Sequence, residues 1–196
     1  GVAAVAALIT YRVALEHWFK NTFLLWIGTI LLLGIVLVAG TEVNGSTRWI
    51  RIGGFTLQAT EVAKVVMTIF TADYVVRRSE EVRNNIKGLA RLALVMVLTV
   101  GLIILEPDLG ATVVIVASML GVFFLAGAPM IQFSFAFGAI LIAFVGLIIF
   151  EPYRFERLMS FSNPWADPLG AGYQLSNALM AFGRGEWFGV GLGHSI

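Results

Sequence analysis

Cysteine is absent from this chain, so it holds neither a disulfide nor a thiolate metal site. Charge is scarce too. Asp, Glu, Lys and Arg make up 13% of the residues, where a soluble globular domain carries about a quarter. The net charge is +1, and no basic run offers a footing for nucleic acid. Histidine occurs only as His17, which reads as interfacial, and His194, near which nothing completes a metal or nucleophile set.

What is present is apolar: 59% of the chain. Asn21 to Thr41 carries no charge, and neither does Leu109 to Phe150. A membrane-spanning helix needs about 20 apolar residues. The second run is twice that, and Gly127-Ala128-Pro129 divides it into two spans. Hydrophobic segments follow at 1–10, 21–41, 57–76, 89–105, 109–126 and 130–150. Helices satisfy their own backbone groups in lipid, and no alternating pattern suggests a β-barrel. The expected fold is therefore all-α, a polytopic transmembrane bundle. A membrane region spans residues 1–150 and a polar loop region spans 151–196. Gly1 opens inside an apolar run without a charged leader, and Ser195-Ile196 stops in a glycine-rich stretch, as at two internal boundaries.

Alternate loops fall on alternate sides. One side holds Arg12, Lys20, Arg77, Arg78, Arg83, Lys87 and Arg91. The other holds Arg48, Arg51, Arg154, Arg157 and Arg184. The dense basic loop Arg77–Arg91 predicts a cytoplasmic first side, which turns 151–196 outward.

The segment from Glu151 to Ile196 breaks the apolar pattern with four acids, three arginines, two tryptophans and two tyrosines. Its Asp167-Pro168-Leu169-Gly170 suits a type I turn. The same carboxylate, beside a membrane, could serve as a general base. Glu61 and Lys64 lie three apart and share a helix face. Within a spanning segment they form either a structural pair near the helix start, with Thr60 as N-cap, or a functional pair facing a wet cavity. Glu106 and Asp108 flank Pro107 between two spans, and Asp108 can cap the next helix. Arg48 beside Trp49, and Arg154 and Arg157 beside Tyr153, read as interfacial anchors or as clamps on an anion such as pyrophosphate. Asp73 and Arg77 read as an exposed helix-end pair. Gly189-Val190-Gly191-Leu192-Gly193 lacks the strand and GK[ST] of a nucleotide loop, so backbone packing is its reading.

Four stretches, taken together and in order, resemble one known family. They are Asn44–Arg51 with Gly53-Gly54, Glu61-x-x-Lys64, Pro107-Asp108-Leu109-Gly110, and the block from Glu151-Pro152-Tyr153-Arg154 through Pro164-Trp165-Ala166-Asp167-Pro168 to Gly172-Tyr173-Gln174. The family is that of the shape, elongation, division and sporulation (SEDS) proteins. Asn163-Pro164-Trp165 and Ala181-Phe182-Gly183-Arg184-Gly185-Glu186 resemble its division branch more than its elongation branch. The chain departs at Ala59-Thr60-Glu61, where the family commonly has Pro-Ser-Glu.

The resemblance implies a ten-helix bundle, of which this chain holds the middle. It implies a peptidoglycan glycosyltransferase of the bacterial cytoplasmic membrane, placed at the division septum. Lipid II would be the substrate, and a class B penicillin-binding protein transpeptidase and other divisome proteins the partners. Asp167 matches the family's essential loop aspartate, and Glu61 and Lys64 its intramembrane acid–base pair. Arg48, Arg154, Arg157 or a divalent cation (Mg or Mn) would neutralise the leaving pyrophosphate. Two other functions stay open: a lipid-linked precursor flippase using Glu61 and Lys64, and a non-catalytic scaffold. The gathering of Glu106, Asp108, Glu151, Glu156, Asp167 and Glu186 on one side favours the enzyme.

Overall fold

The computed structural model describes residues 7, 8, 10–43, 46–52, 55–150 and 152–191. The helices are α1 (Leu15–Lys20), α2 (Thr22–Ala39), α3 (Ala59–Arg77), α4 (Ser79–Asn84), α5 (Ile86–Leu105), α6 (Leu109–Leu125), α7 (Met130–Ile149), α8 (Pro152–Met159) and α9 (Tyr173–Gly185). Among the described residues α2, α5 and α7 are long and apolar enough to cross a membrane, and α6 is a shorter apolar helix. The chain is a polytopic helical membrane protein. The one addition to the helical reading is a small antiparallel sheet between α2 and α3. Its strands are β1 (Thr41–Val43), β2 (Ser46–Ile52) and β3 (Phe55–Gln58), in the order β1-β2-β3.

The chain divides into two compact units, Gly1–Phe135 and Ala136–Ile196. In the first, α3 packs mainly against α2 and α6. Its inward face carries Ala59, Ala63, Val66 and Met67, all buried. The facing row on α6 is Ala111, Ile115, Met119 and Phe123, spaced four apart, so the i±4 ridge of α6 meets α3. Alanines at the Asp108 end let the backbones approach closely, as small residues do between membrane helices. Hydroxyls inside the bundle are satisfied within their own helices. Thr29 donates to Leu25 O, Thr71 to Met67 O and Thr99 to Val95 O, at 2.7–2.9 Å. Trp26 Nε1 then donates to Thr99 Oγ1 at 3.0 Å and ties α2 to α5. Gly127, with φ +73°, ends α6 in the left-handed conformation that favours glycine, and α7 starts after Pro129.

Two ends of this unit are set apart by their bonds. At one end Arg77 Nη2 donates to Phe19 O at 2.6 Å, Tyr74 OH to Gly88 O at 2.9 Å, and Arg83 Nη2 to Ala126 O at 3.3 Å. The loops that carry the denser positive charge therefore lie together. At the other end, Gln58 and Thr60 meet Asp108. Asp73 is more than an exposed helix-end group. It accepts from Arg77 Nε at 2.6 Å and from Thr22 Oγ1 at 2.8 Å, so it joins α3 to the start of α2.

Glu81 organises the basic end, accepting from Arg78 Nη1 at 2.8 Å and from Arg91. The Arg78 hydrogen bond pulls its carboxyl below the ordinary range, and the charges of Arg91 and Lys87 add to this. A depressed folded-state pKa contributes stability above the unfolded value, near pH 4.3, that is lost as pH falls through the folded value. The difference in unfolding temperature between wild type and Glu81→Gln should be constant near neutrality and shrink on acidification. Measured across pH 7 to 3, a gap that widened instead would contradict the assignment.

Candidate functional site

The loop between α8 and α9 builds its turn around one carboxylate. Asp167 Oδ1 accepts from Gly170 N and Oδ2 from Ala171 N, each at 3.0 Å. The Asp167 carbonyl takes Gly172 N at 3.0 Å. Residues 168–170 do form a turn, but Gly170 N–H goes to the Asp167 side chain rather than to its carbonyl, so the carboxylate closes the turn in place of the backbone bond of type I. The residue is exposed, and a carboxylate with two accepted bonds has further acceptor capacity. A carboxylate held by two amides and open outward is a positioned proton acceptor.

The loop rests on α9. Ser176 is fully buried; its Oγ lies 3.3 Å from Pro168 O and 3.1 Å from Tyr173 O. Ser160 Oγ donates to Ala171 O at 3.1 Å and tethers the end of α8 to the same turn. Neither serine is singled out by sequence spacing. Their role follows from where their hydroxyls end up.

In the first unit, Lys64 Nζ and Glu61 Oε1 form an ion pair at 2.6 Å. Glu61 lies in the first turn of α3, on the side away from the buried alanines, and its side chain is 60% exposed against 27% for Lys64. Thr60 does not cap α3. The cap position is Gln58, without a side-chain cap bond. Thr60 is buried and its Oγ1 reaches Asp108 Oδ2 at 3.5 Å, beside Gln58 Nε2 at 3.3 Å.

Asp108 is the cap its sequence suggests: Oδ1 accepts from Ala111 N at 3.1 Å at the start of α6. One carboxylate thus joins α6 to the β3–α3 junction. Glu106, just before it, is fully buried. Losing a cap costs about 0.5–2 kcal/mol. Asp108→Ala should therefore lower the unfolding temperature in detergent, and Asp108→Asn, which keeps an acceptor oxygen, should lower it less. An alanine variant as stable as wild type would rule out the capping role.

Arg48 lies in β2, and Arg154 and Arg157 in α8; their side chains, like His194 and Glu151, fall outside the described residues. Among the described residues no three His, Asp or Glu side chains gather to hold a metal ion.

Apolar helices long enough to cross a membrane, together with one clamped, exposed carboxylate in a polar loop, define a membrane protein with a candidate catalytic base. The sequence model of the cell cycle protein family, which groups FtsW, RodA and SpoVE, matches residues 1–196. The chain belongs to this family. It is 70% identical over 99% of its length to the "Probable peptidoglycan glycosyltransferase FtsW" of Acinetobacter baylyi, covering 49% of that protein. Against the protein of the same name from Shewanella sediminis it is 45% identical over 98% of its length, covering 47%. The chain spans about half the length of these relatives. A similar solved structure, described as "Structural coordination of polymerization and crosslinking by a peptidoglycan synthase complex", has a TM-score of 0.68 and 28% identity. It covers 94% of this chain and 55% of its own. An aspartate-to-alanine mutant of the Thermus thermophilus rod shape determining protein RodA has a TM-score of 0.63 and 26% identity, over 76% of this chain and 46% of its own.

Proposed function

We propose that the protein is a peptidoglycan glycosyltransferase that polymerises lipid II into β-1,4-linked glycan, with Asp167 as general base. The observation that carries this reading is the Asp167 carboxylate, fixed by Gly170 N and Ala171 N and open outward. The names of the relatives support the reaction class.

The acceptor 4-hydroxyl is a poor nucleophile at neutral pH, so its proton must pass to a positioned base as it attacks. Asp167 takes that proton. The new bond forms at the donor's anomeric carbon while the bond from that carbon to the pyrophosphate oxygen breaks. The electron pair leaves with the pyrophosphate, and an α-linked donor becomes a β-linked product in one inverting step. The negative charge developing on the leaving group is assigned to Arg48, Arg154 or Arg157. The polyprenyl chain stays in lipid, which accounts for a base placed at a membrane face.

The division septum is the proposed location, supported by the FtsW names of the relatives and by Asn163-Pro164-Trp165. The proposed transpeptidase partner is a class B penicillin-binding protein, supported by likeness to a synthase complex that couples polymerisation to crosslinking. We infer that α5, α6 and α7 each cross the membrane, so that with Arg77–Arg91 cytoplasmic Asp167 lies outside.

Purified full-length protein given lipid II and separated by product size tests the proposal. A ladder of glycan is the expected result. Movement of lipid II between leaflets without polymer would favour the flippase instead. Lys64→Ala should cut polymer yield, because Glu61, 2.6 Å away, loses its counter-charge within a spanning segment. Lys64→Arg should restore part of the yield. A large thermal shift with full activity would make the pair purely structural.

A further inference from the structure

The basic end of the first unit holds a groove that the proposed chemistry does not use. It lies between the end of α1, the start of α2 and the end of α3, with a volume of about 270 Å³. Lys20, Arg77 and Arg78 line its polar part against a single acid, Asp73. Asp73 is already taken by Arg77 and Thr22. Lys20 has no carboxylate within ion-pair distance among the described residues. Arg78 bonds Glu81 through one nitrogen, and the remaining guanidinium N–H groups stay available. Arg77 likewise uses Nε and Nη2 and keeps Nη1.

The opposite part of the groove is aromatic. Phe23, Phe70 and Tyr74 line it, and Phe70 stacks on Tyr74 with ring centroids 6.4 Å apart. Trp26 continues the wall from Phe70 at 6.0 Å to Phe23 at 5.8 Å. Phe70 precedes Arg77 by two helical turns, about 10 Å along α3. The groove is thus cationic at the helix ends and aromatic toward the middle of the helices. A phospholipid is ordered the same way, with phosphate at the interface and acyl chain beneath. A water-soluble anion would need the cations but gain nothing from a wall of rings that begins at the apolar, half-exposed Phe23.

We propose that this groove binds one anionic phospholipid, with its phosphodiester on Lys20, Arg77 and Arg78 and an acyl chain along Phe23 and Phe70. Basic pockets at the membrane-facing ends of helices attract such headgroups through charge, and each cation adds a similar increment. The site is independent of Asp167 and of the polymerase reading.

The test uses full-length protein in neutral detergent, titrated with phosphatidylglycerol, phosphatidylcholine or inorganic phosphate. Unfolding temperature and lipid adducts in native mass spectrometry are the readouts. Phosphatidylglycerol should raise the unfolding temperature saturably and leave a single retained adduct. Phosphatidylcholine and inorganic phosphate should do neither. Lys20→Gln with Arg78→Gln should weaken the apparent affinity by about 30-fold, from the loss of two interfacial cations. Arg12→Gln with Lys87→Gln, at the same end but outside the groove, should leave it unchanged. Equal weakening by both pairs would reduce the effect to bulk charge and overturn the site. So would equal binding of phosphatidylcholine, or stabilisation by inorganic phosphate to the same extent. Unaltered affinity in the Lys20 and Arg78 variant would also overturn it.

Discussion

Asp167→Asn in the full-length protein should yield a folded membrane protein that makes almost no glycan. Removing a positioned general base costs about 10²–10⁴ in rate, or about 3–5 kcal/mol of barrier. The structural cost is far smaller. Asn keeps one acceptor oxygen for Gly170 N, which now meets Asp167 Oδ1 at 3.0 Å. Its amide turns an NH₂ toward Ala171 N, so one exposed hydrogen bond is lost, worth about 0.5–1.5 kcal/mol. Rate and stability therefore separate by several kcal/mol. Asp167→Ala loses both bonds and should be the less stable of the two, with the same loss of activity. The comparison needs lipid II polymerisation rates beside unfolding temperatures in one detergent. Wild-type polymer yield from a well-folded Asp167→Asn protein would remove the base assignment, whatever its stability.

The helices were readable because membrane insertion imposes a simple demand. The charge-free run 21–41 holds α2 and the run 109–150 holds α6 and α7, and Gly127-Ala128-Pro129 marks the break between the last two. The strands at 41–43, 46–52 and 55–58 are less legible, although Asn44-Gly45 and Gly53-Gly54 are typical hairpin dipeptides in sequence. Arg48, Trp49 and Arg51 read as anchors, and the order Arg48-Trp49-Ile50-Arg51-Ile52 breaks the polar–apolar alternation that would announce a strand. Asp108 shows the limit from the other side. Its cap on Ala111 is local and legible from one residue, whereas its bonds to Gln58 and Thr60 cross about 50 residues of sequence. No spacing rule reports a contact that only packing of α3 on α6 creates. Asp167 lies between these cases. Asp-Pro-x-Gly announces the turn, and the turn's own amides turn out to be what holds the carboxylate.

Gly170→Ala and Gly172→Ala should fail in different ways, and the difference isolates carboxylate position from loop folding. A Cβ on Gly170 would lie 2.0 Å from Asp167 Oδ2 and 3.0 Å from Oδ1. Those atoms end a short side chain that can rotate, so the backbone survives and the carboxylate swings off both amides. A misplacement of about 1 Å can cost a hundredfold in rate, while the exposed bonds given up cost about 1–3 kcal/mol at most. A Cβ on Gly172 would instead meet Pro164 O at 2.2 Å and Asp167 O at 2.9 Å. Both are backbone atoms, and Pro164 and Gly172 are buried. Gly172 also gives its N–H to Asp167 O and its carbonyl to Ser176 N at 2.9 Å, in the first turn of α9. The loop can relieve that overlap only by lifting off α9, an overpacking cost of about 1–3 kcal/mol or more. Gly170→Ala should lose polymer yield with an unfolding temperature no lower than that of Asp167→Ala, which gives up the same two bonds, and with the loop still resistant to protease. Gly172→Ala should lose both yield and thermal stability, and expose the 160–172 loop to protease. Full activity in Gly170→Ala would mean that the two amides do not set the working position of the carboxylate, and the base would have to be sought elsewhere on the loop.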